Sequence, residues 1–109
     1  MSFADYTSQG EVAVITLKNP PVNALSWGLR TAVADGLERA ASDSAIRAVV
    51  ITGSGGAFCG GADVGEFGLP AMTASPSLAD LFSLIENLPK PAVAAINGLA
   101  LGGGLELAM

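Results

Sequence analysis

The feature that most constrains this chain lies at its carboxy-terminal end. An apolar run, Ala92 to Ile96, passes through Asn97-Gly98 to Gly102-Gly103-Gly104 and then into Leu105-Glu106-Leu107-Ala108. A short apolar run bounded by Pro91 and an Asn-Gly pair reads as a buried strand, and good helix formers after glycine read as a helix start. A strand therefore turns into a helix through backbone that carries no side chains. Helix starts have N–H groups without intrahelical partners, and glycine lets a ligand oxygen approach them without meeting a Cβ. The expected feature is an anion or oxyanion site. Glu106, two residues beyond the last glycine, can turn its carboxylate toward whatever those N–H groups hold. The same residues permit plainer readings. The glycines can serve close packing of helix on sheet, and Glu106 can be a surface carboxylate that favours a helix start.

The rest of the chain supplies a sheet for this junction. Residues 3–9 and 12–17 are rich in β-formers and flank Gln9-Gly10, which reads as a hairpin turn. Lys18-Asn19-Pro20-Pro21-Val22-Asn23 cannot continue a strand or a helix, because proline removes donors and fixes φ. Ser26 is a good N-cap, and Leu29, Val33, Leu37 and Ala40 recur at helical spacing, so an amphipathic helix is expected to end near 42–44. Ala48-Val49-Val50-Ile51-Thr52 predicts a strand buried on both faces of a parallel sheet. Residues 53–63 read as a long glycine-rich loop, with Asp63 capping a short helix over 64–67. Residues 68–76 read as a mobile loop of small residues and breakers. Ser77 is expected to cap a helix over 78–88, whose Leu78, Leu81, Phe82, Ile85 and Leu88 form one stripe. Pro89 ends that helix.

The order is β-β-α-β-α-β followed by a helix start, which favours right-handed parallel crossovers in an α/β fold. Ligands in such sheets bind beyond the carboxyl ends of the strands, and both glycine-rich segments leave strands there. If the two strands are neighbours, the segments share one site.

Composition narrows the function. The chain has 109 residues, enough for one domain or part of one. Half of them are hydrophobic and only 14% are charged, well under the roughly 25% of typical soluble domains. That excess suits a piece of a larger core or a subunit with a large interface. A net charge of −5 with five basic residues leaves no basic patch for nucleic acid. The start of the chain has no signal-peptide pattern, and the apolar tail is too interrupted for a membrane span. Cytoplasmic residence is the default expectation. The single Cys59 permits no internal disulfide and reads as a small buried hydrophobe; with no histidine, no metal site is expected. Neither glycine segment fits a nucleotide motif: Phe58 and Leu107 stand where a dinucleotide fingerprint needs its third glycine, and no lysine follows Gly60 or Gly61 as a phosphate loop requires.

Three pieces taken together carry more than any one. NPPVNALS at 19–26, AVVITGSGGAFCGGAD at 48–63 and PKPAVAAINGLALGGGLELAM at 89–109 resemble the enoyl-CoA hydratase/isomerase family, or crotonase superfamily. Within it the likeness is greatest to the amino-terminal hydratase part of bifunctional fatty-acid oxidation enzymes. The resemblance implies a crotonase-like α/β fold of ββα repeats with a spiral parallel core, incomplete here, residues 1–109 being the amino-terminal part of a single domain. It implies an oxyanion hole for an acyl-CoA thioester made by the N–H groups of Ala62 and Gly103. Glu106 stands where family hydratases carry one of two glutamates that handle the added water, and Ala24, Gly60, Asp63 and Val64 match positions along the coenzyme A path. No cofactor is implied beyond the coenzyme A of the substrate, and the complete protein would be a homo-oligomer, a trimer or dimer of trimers. The second glutamate of the family lies beyond Met109. The expectation is therefore a hydratase fragment, inactive by itself, with isomerisation or a non-catalytic acyl-CoA-binding or assembly role as the alternatives.

Overall fold

The computed structural model describes residues 3–109. Ala4–Gln9 (β1) and Val12–Leu17 (β2) form the expected hairpin, turned at Gly10 with φ of +60°. The helix Trp27–Ser42 (α1) follows, capped as expected by Ser26, whose Oγ accepts from Leu29 N at 3.2 Å. Ala48–Gly53 (β3), Ala57–Cys59 (β4), Leu78–Glu86 (α2), Ala92–Ala95 (β5), Leu99–Ala100 (β6) and Gly103–Ala108 (α3) complete the order. The main sheet runs β1-β2-β3-β5, antiparallel within the hairpin and parallel thereafter. β3 and β5 are thus neighbours, and both glycine-rich segments leave the same end of the sheet.

The core is made by the two expected periodicities meeting. Ala13, Ile15 and Leu17 of β2 and Val49 and Ile51 of β3 alternate onto one face and are buried with Leu29, Val33, Leu37 and Ala40 of α1. Each Val, Leu or Ile among them contributes about 1.5–3 kcal/mol by leaving water. β3 was expected to be buried on both faces, but Val50 and Thr52 are only half-buried, because α1 covers one side of the sheet and no element among the described residues seals the other. The apolar surplus shows at this uncovered end, where Val93, Ile96, Leu105 and Met109 are exposed.

Residues 53–63 are more than a loop. Their centre is β4, paired in parallel with β6, itself inside what read as the link from strand to helix. Gly98 and Gly104 permit this approach: a Cβ on Gly98 would fall within contact distance of Gly56 O, and one on Gly104 would run into Cys59 O. The segment is secured by Asn23, a buried residue in the left-handed region at φ of +55°. Its Nδ2 donates to Ala57 O at 3.0 Å and to Ser54 O and Phe58 O at 3.2 Å, while Oδ1 accepts from Asn19 N at 2.9 Å.

The remaining departures are local. The turn after Asp63 is a 3₁₀ turn, Val64–Glu66, capped by Asp63 Oδ1 on Gly65 N at 2.9 Å. α2 ends at Glu86, before the expected 88, and a second 3₁₀ turn, Pro70–Met72, lies inside the stretch read as a mobile loop. Ser77 and Asp80 form a reciprocal capping box on α2, and the Ser77 backbone and side chain hold the Asp80 carboxyl below its ordinary pKa. A lowered carboxylate pKa stabilises above its unfolded value. This cap therefore acts in full at neutral pH and is lost as pH falls through the depressed folded value.

Asn23→Ala and Asn23→Asp should each destabilise by about 2–3 kcal/mol, since both leave buried carbonyls without donors. Urea denaturation measures this, and an Asp variant as stable as wild type would contradict the donor role. Gly104→Ala should be worse than either, because its methyl meets backbone that cannot give way.

Candidate functional site

The Gly60-Gly61 segment is fastened by backbone hydrogen bonds to the stretch before α1. Gly60 N donates to Val22 O at 2.7 Å, and Leu25 N donates to Gly61 O at 2.7 Å. Leu25 thereby pairs in parallel with Ala62. A trans peptide points its C=O and N–H in opposite directions, so anchoring Gly61 O on Leu25 turns the Ala62 N–H away from it. Gly61 has φ of +103°, and a Cβ there would lie 3.0 Å from Leu101 O and 3.4 Å from Gly103 N, so the position calls for glycine on both conformation and space.

On the other side, Gly104 N and Leu105 N donate to Leu101 O, and Glu106 N to Gly102 O. Among the described residues no acceptor takes the N–H of Gly103 or that of Ala62. The two groups are adjacent: a Cβ on Gly103 would stand 3.7 Å from Ala62 N. Two unbonded donors from separate strand exits thus sit side by side, which is the geometry that a developing oxyanion requires.

Two cavities meet at Ala62. One of about 350 Å³ is walled by Pro20, Pro21 and Val22 on one side and Ala24, Gly60, Ala62, Asp63 and Val64 on the other, so it gathers all four residues expected along the ligand path. The second, about 190 Å³, shares Ala62 and Asp63 with the first and continues to Arg30, Glu66, Met72 and Leu78. Asp63 is both a wall of these cavities and the cap of the turn that follows.

Glu106 is not in either cavity. It is exposed and lines a smaller hollow of about 70 Å³ with Phe82, Ile85, Glu86, Leu107 and Met109. The separation is one helical turn, since residues three apart share a helix face. Leu78 of α2 stands 3.7 Å from the Cβ position of Gly103, while Phe82 and Ile85 of the same stripe stand beside Glu106. An apolar helix face therefore runs alongside α3 from the donors to the carboxylate. Glu86 shares the hollow and went unmarked in the sequence, where a charge at a helix end looks like a solvated face.

Arg30 was also missed. It sits on α1, is 2% exposed, and pairs with Glu66 at 3.3 Å. The stretch read as a mobile loop is fastened to it: Nε donates to Pro76 O at 2.7 Å and Nη2 to Ala71 O at 2.6 Å. Trp27 adds a further tie through Nε1 to Ser75 O at 3.0 Å. Helical periodicity marked only the aliphatic positions of α1, and a lone arginine among them gave no signal. Cys59 behaves as expected of a small buried hydrophobe: it is fully buried, and desolvation raises its thiol pKa, opposed by a hydrogen bond from the Gly61 backbone. Among the described residues no group of acids, cysteines or histidines could hold a metal ion, and no helix is long and apolar enough to cross a membrane.

Comparison with known proteins gives the family and the fold. The family model described as enoyl-CoA hydratase/isomerase matches residues 7–109. The peroxisomal bifunctional enzyme of Danio rerio is 56% identical over 98 residues, covering 90% of this chain and 13% of that protein. A probable enoyl-CoA hydratase of Bacillus subtilis is 46% identical over 103 residues, covering 90% of this chain and 40% of that protein. The crystal structure of an enoyl-CoA hydratase from Bacillus anthracis superposes with a TM-score of 0.87 at 32% identity, over 98% of this chain and 44% of that one. The chain thus spans less than half the length of these relatives. The Danio rerio relative is named as peroxisomal, a compartment outside the cytoplasmic expectation. With a family model over nearly its whole length and a crotonase-like α/β fold, the chain belongs to the enoyl-CoA hydratase/isomerase family.

Proposed function

We propose that the complete protein of which these residues form the amino-terminal part hydrates 2-enoyl-CoA to 3-hydroxyacyl-CoA. The observation that carries the reading is the adjacency of two unbonded backbone donors, Ala62 N–H and Gly103 N–H, with Ala62 lining both cavities. The thioester carbonyl oxygen sits between them. The cavity lined by Ala24, Gly60, Asp63 and Val64 takes the coenzyme A arm, and no cofactor beyond that coenzyme A is needed. The printed names of the relatives, a bifunctional enzyme and a probable enoyl-CoA hydratase, support this substrate class.

The chemistry follows from where charge develops. Water oxygen bonds to C3 of the enoyl group, the C2–C3 π pair moves toward the thioester oxygen, and the resulting enolate charge is met by the two N–H donors. Glu106 accepts a proton from the attacking water, and a proton is delivered to C2 by a second carboxylate from beyond Met109. Phe82 and Ile85 stand beside Glu106 in the same hollow and offer an apolar wall to the acyl chain next to the reacting carbons. A carboxylate at this place favours hydration over simple movement of the double bond. The exposed apolar residues Val93, Ile96 and Leu105 support further chain, or further subunits of a homo-oligomer, against this end of the sheet.

The decisive assay is loss of the conjugated enoyl thioester by the purified complete protein. No hydration of any 2-enoyl-CoA would overturn the proposal. Gly103→Ala should fold, because its methyl has no neighbour nearer than 3.7 Å, yet it places that methyl over the Ala62 N–H. Its kcat should fall by about 10²-fold or more, as for loss of an oxyanion donor, with the melting temperature held within a few degrees. Glu106→Gln should lower kcat by about 10²-fold or more and leave binding of a non-reactive acyl-CoA nearly unchanged. An unaltered kcat in that variant would return Glu106 to a surface role.

A further inference from the structure

We propose that Arg30 is a positioning residue for this reaction, fixing the aim of the Ala62 N–H through the backbone of Leu25 and holding the wall of the cavity beside it. The inference rests on the reading of Ala62 as an oxyanion donor. Arg30 Nη1 donates to Leu25 O at 2.8 Å, and Leu25 N donates to Gly61 O at 2.7 Å. The Gly61–Ala62 peptide is rigid, so whatever holds Gly61 O also sets the direction of the Ala62 N–H. The relay from guanidinium to donor thus passes through one residue.

The same guanidinium fastens the facing wall. Nε donates to Pro76 O, Nη2 to Ala71 O, and Nη1 reaches Glu66 Oε1 at 3.3 Å; Glu66 Oε2 in turn accepts from Trp27 N at 2.9 Å. Three segments that are distant in sequence are therefore referred to one side chain: the turn before α1, the turn after Asp63, and residues 71–76. Arg30 and Glu66 line the cavity that contains Ala62. Burying a guanidinium costs several kcal/mol that an apolar residue would not incur, so packing alone is a poor reason for arginine at this place. Its planar fork of five donors can reach carbonyls in several directions at once. A lysine ammonium, compact and with three donors, cannot span the same set.

Donors aimed at developing charge count mainly in the transition state, which sets the sign of the test. In the complete protein, Arg30→Gln should lower kcat for a 2-enoyl-CoA by about tenfold to 10²-fold, the range expected from a misplacement of about 1 Å, with KM held within about threefold. Arg30→Lys should recover only part of the loss. A folded Arg30→Gln protein with wild-type kcat, or one in which KM rises while kcat stays, would overturn the relay. If Arg30→Gln does not fold, the Lys variant decides on the same kcat and KM criteria. Trp27, the single tryptophan of these 109 residues, supplies a readout independent of activity, because its indole N–H is bonded to Ser75 O in the fastened segment. Any tryptophan elsewhere in the complete protein is first replaced by phenylalanine. Arg30→Lys should shift Trp27 emission to the red and raise its quenching by acrylamide, and unchanged emission would overturn the wall-holding role. That readout stands even if the wild-type protein hydrates no enoyl-CoA, a result that would remove the proposed function separately.

Discussion

The buried amide of Asn23 is the interaction on which the geometry of this chain depends. Its donors serve carbonyls of residues 54, 57 and 58, its acceptor serves Asn19 N, and its own carbonyl accepts from Cys59 Sγ at 3.1 Å. Those bonds hold the segment after β3 against the segment before α1 and set the register of the next two, Gly60 N to Val22 O and Leu25 N to Gly61 O. In that register Ala62 N lies 3.7 Å from the Cβ position of Gly103. Few side chains could replace Asn23, because the position combines complete burial, a left-handed backbone and simultaneous demand for donors and an acceptor. Asparagine tolerates that backbone better than most residues and carries both kinds of group.

The large outlines were legible because they rest on periodicity. The hairpin, the capped starts at Ser26 and Ser77 and the aliphatic stripe of α1 follow from local patterns, whereas the pairing of β3 with β5 stood only as a condition that the structure meets. β4 and β6 were illegible for the converse reason. They have three and two residues, lie among glycines, and are created by close approach of two backbones, which leaves no alternation to read. The site divides in the same way. Ala24, Gly60, Ala62, Asp63 and Val64 do gather around one cavity, and Gly103 does stand against Ala62. Arg30 was hidden because its role depends on carbonyls up to 46 positions away, and no local pattern records such partners.

The uncovered end of the sheet has a physical meaning for how stability is distributed. Around α1 the chain has a closed core, with Leu29, Val33 and Leu37 fully buried. Around β5 and α3 it has an open one, with Val93 and Ile96 more than half exposed. A six-residue helix such as α3 gains little from its own hydrogen bonds and depends on packing, here on Leu107 and on Gly104 against Cys59. The donors at Ala62 and Gly103 therefore lie on the boundary between a well-packed half and one whose apolar faces are still open. Their mutual placement therefore rests on packing at that boundary, even though neither residue belongs to the open surface.

This arrangement also explains why the informative residues are so unreactive in character. When the groups that meet developing charge are backbone N–H, no side-chain rotamer can aim them, and their direction is set by the peptide planes on either side. Selection of geometry then falls on residues that permit or enforce backbone shape. Gly61 provides a conformation at φ of +103°, Gly104 allows contact with Cys59, Asn23 fixes register, and Arg30 collects the carbonyls that would otherwise let the surrounding turns drift. Glu106 is the one side chain in the proposed machinery, and α3 places it: the helix begins at Gly103, and one turn later the carboxylate emerges beside Phe82 and Ile85. In the proposed function the run of glycines and the glutamate after it thus work as one unit, with the backbone supplying the donors and the helix they open carrying the carboxylate one turn away.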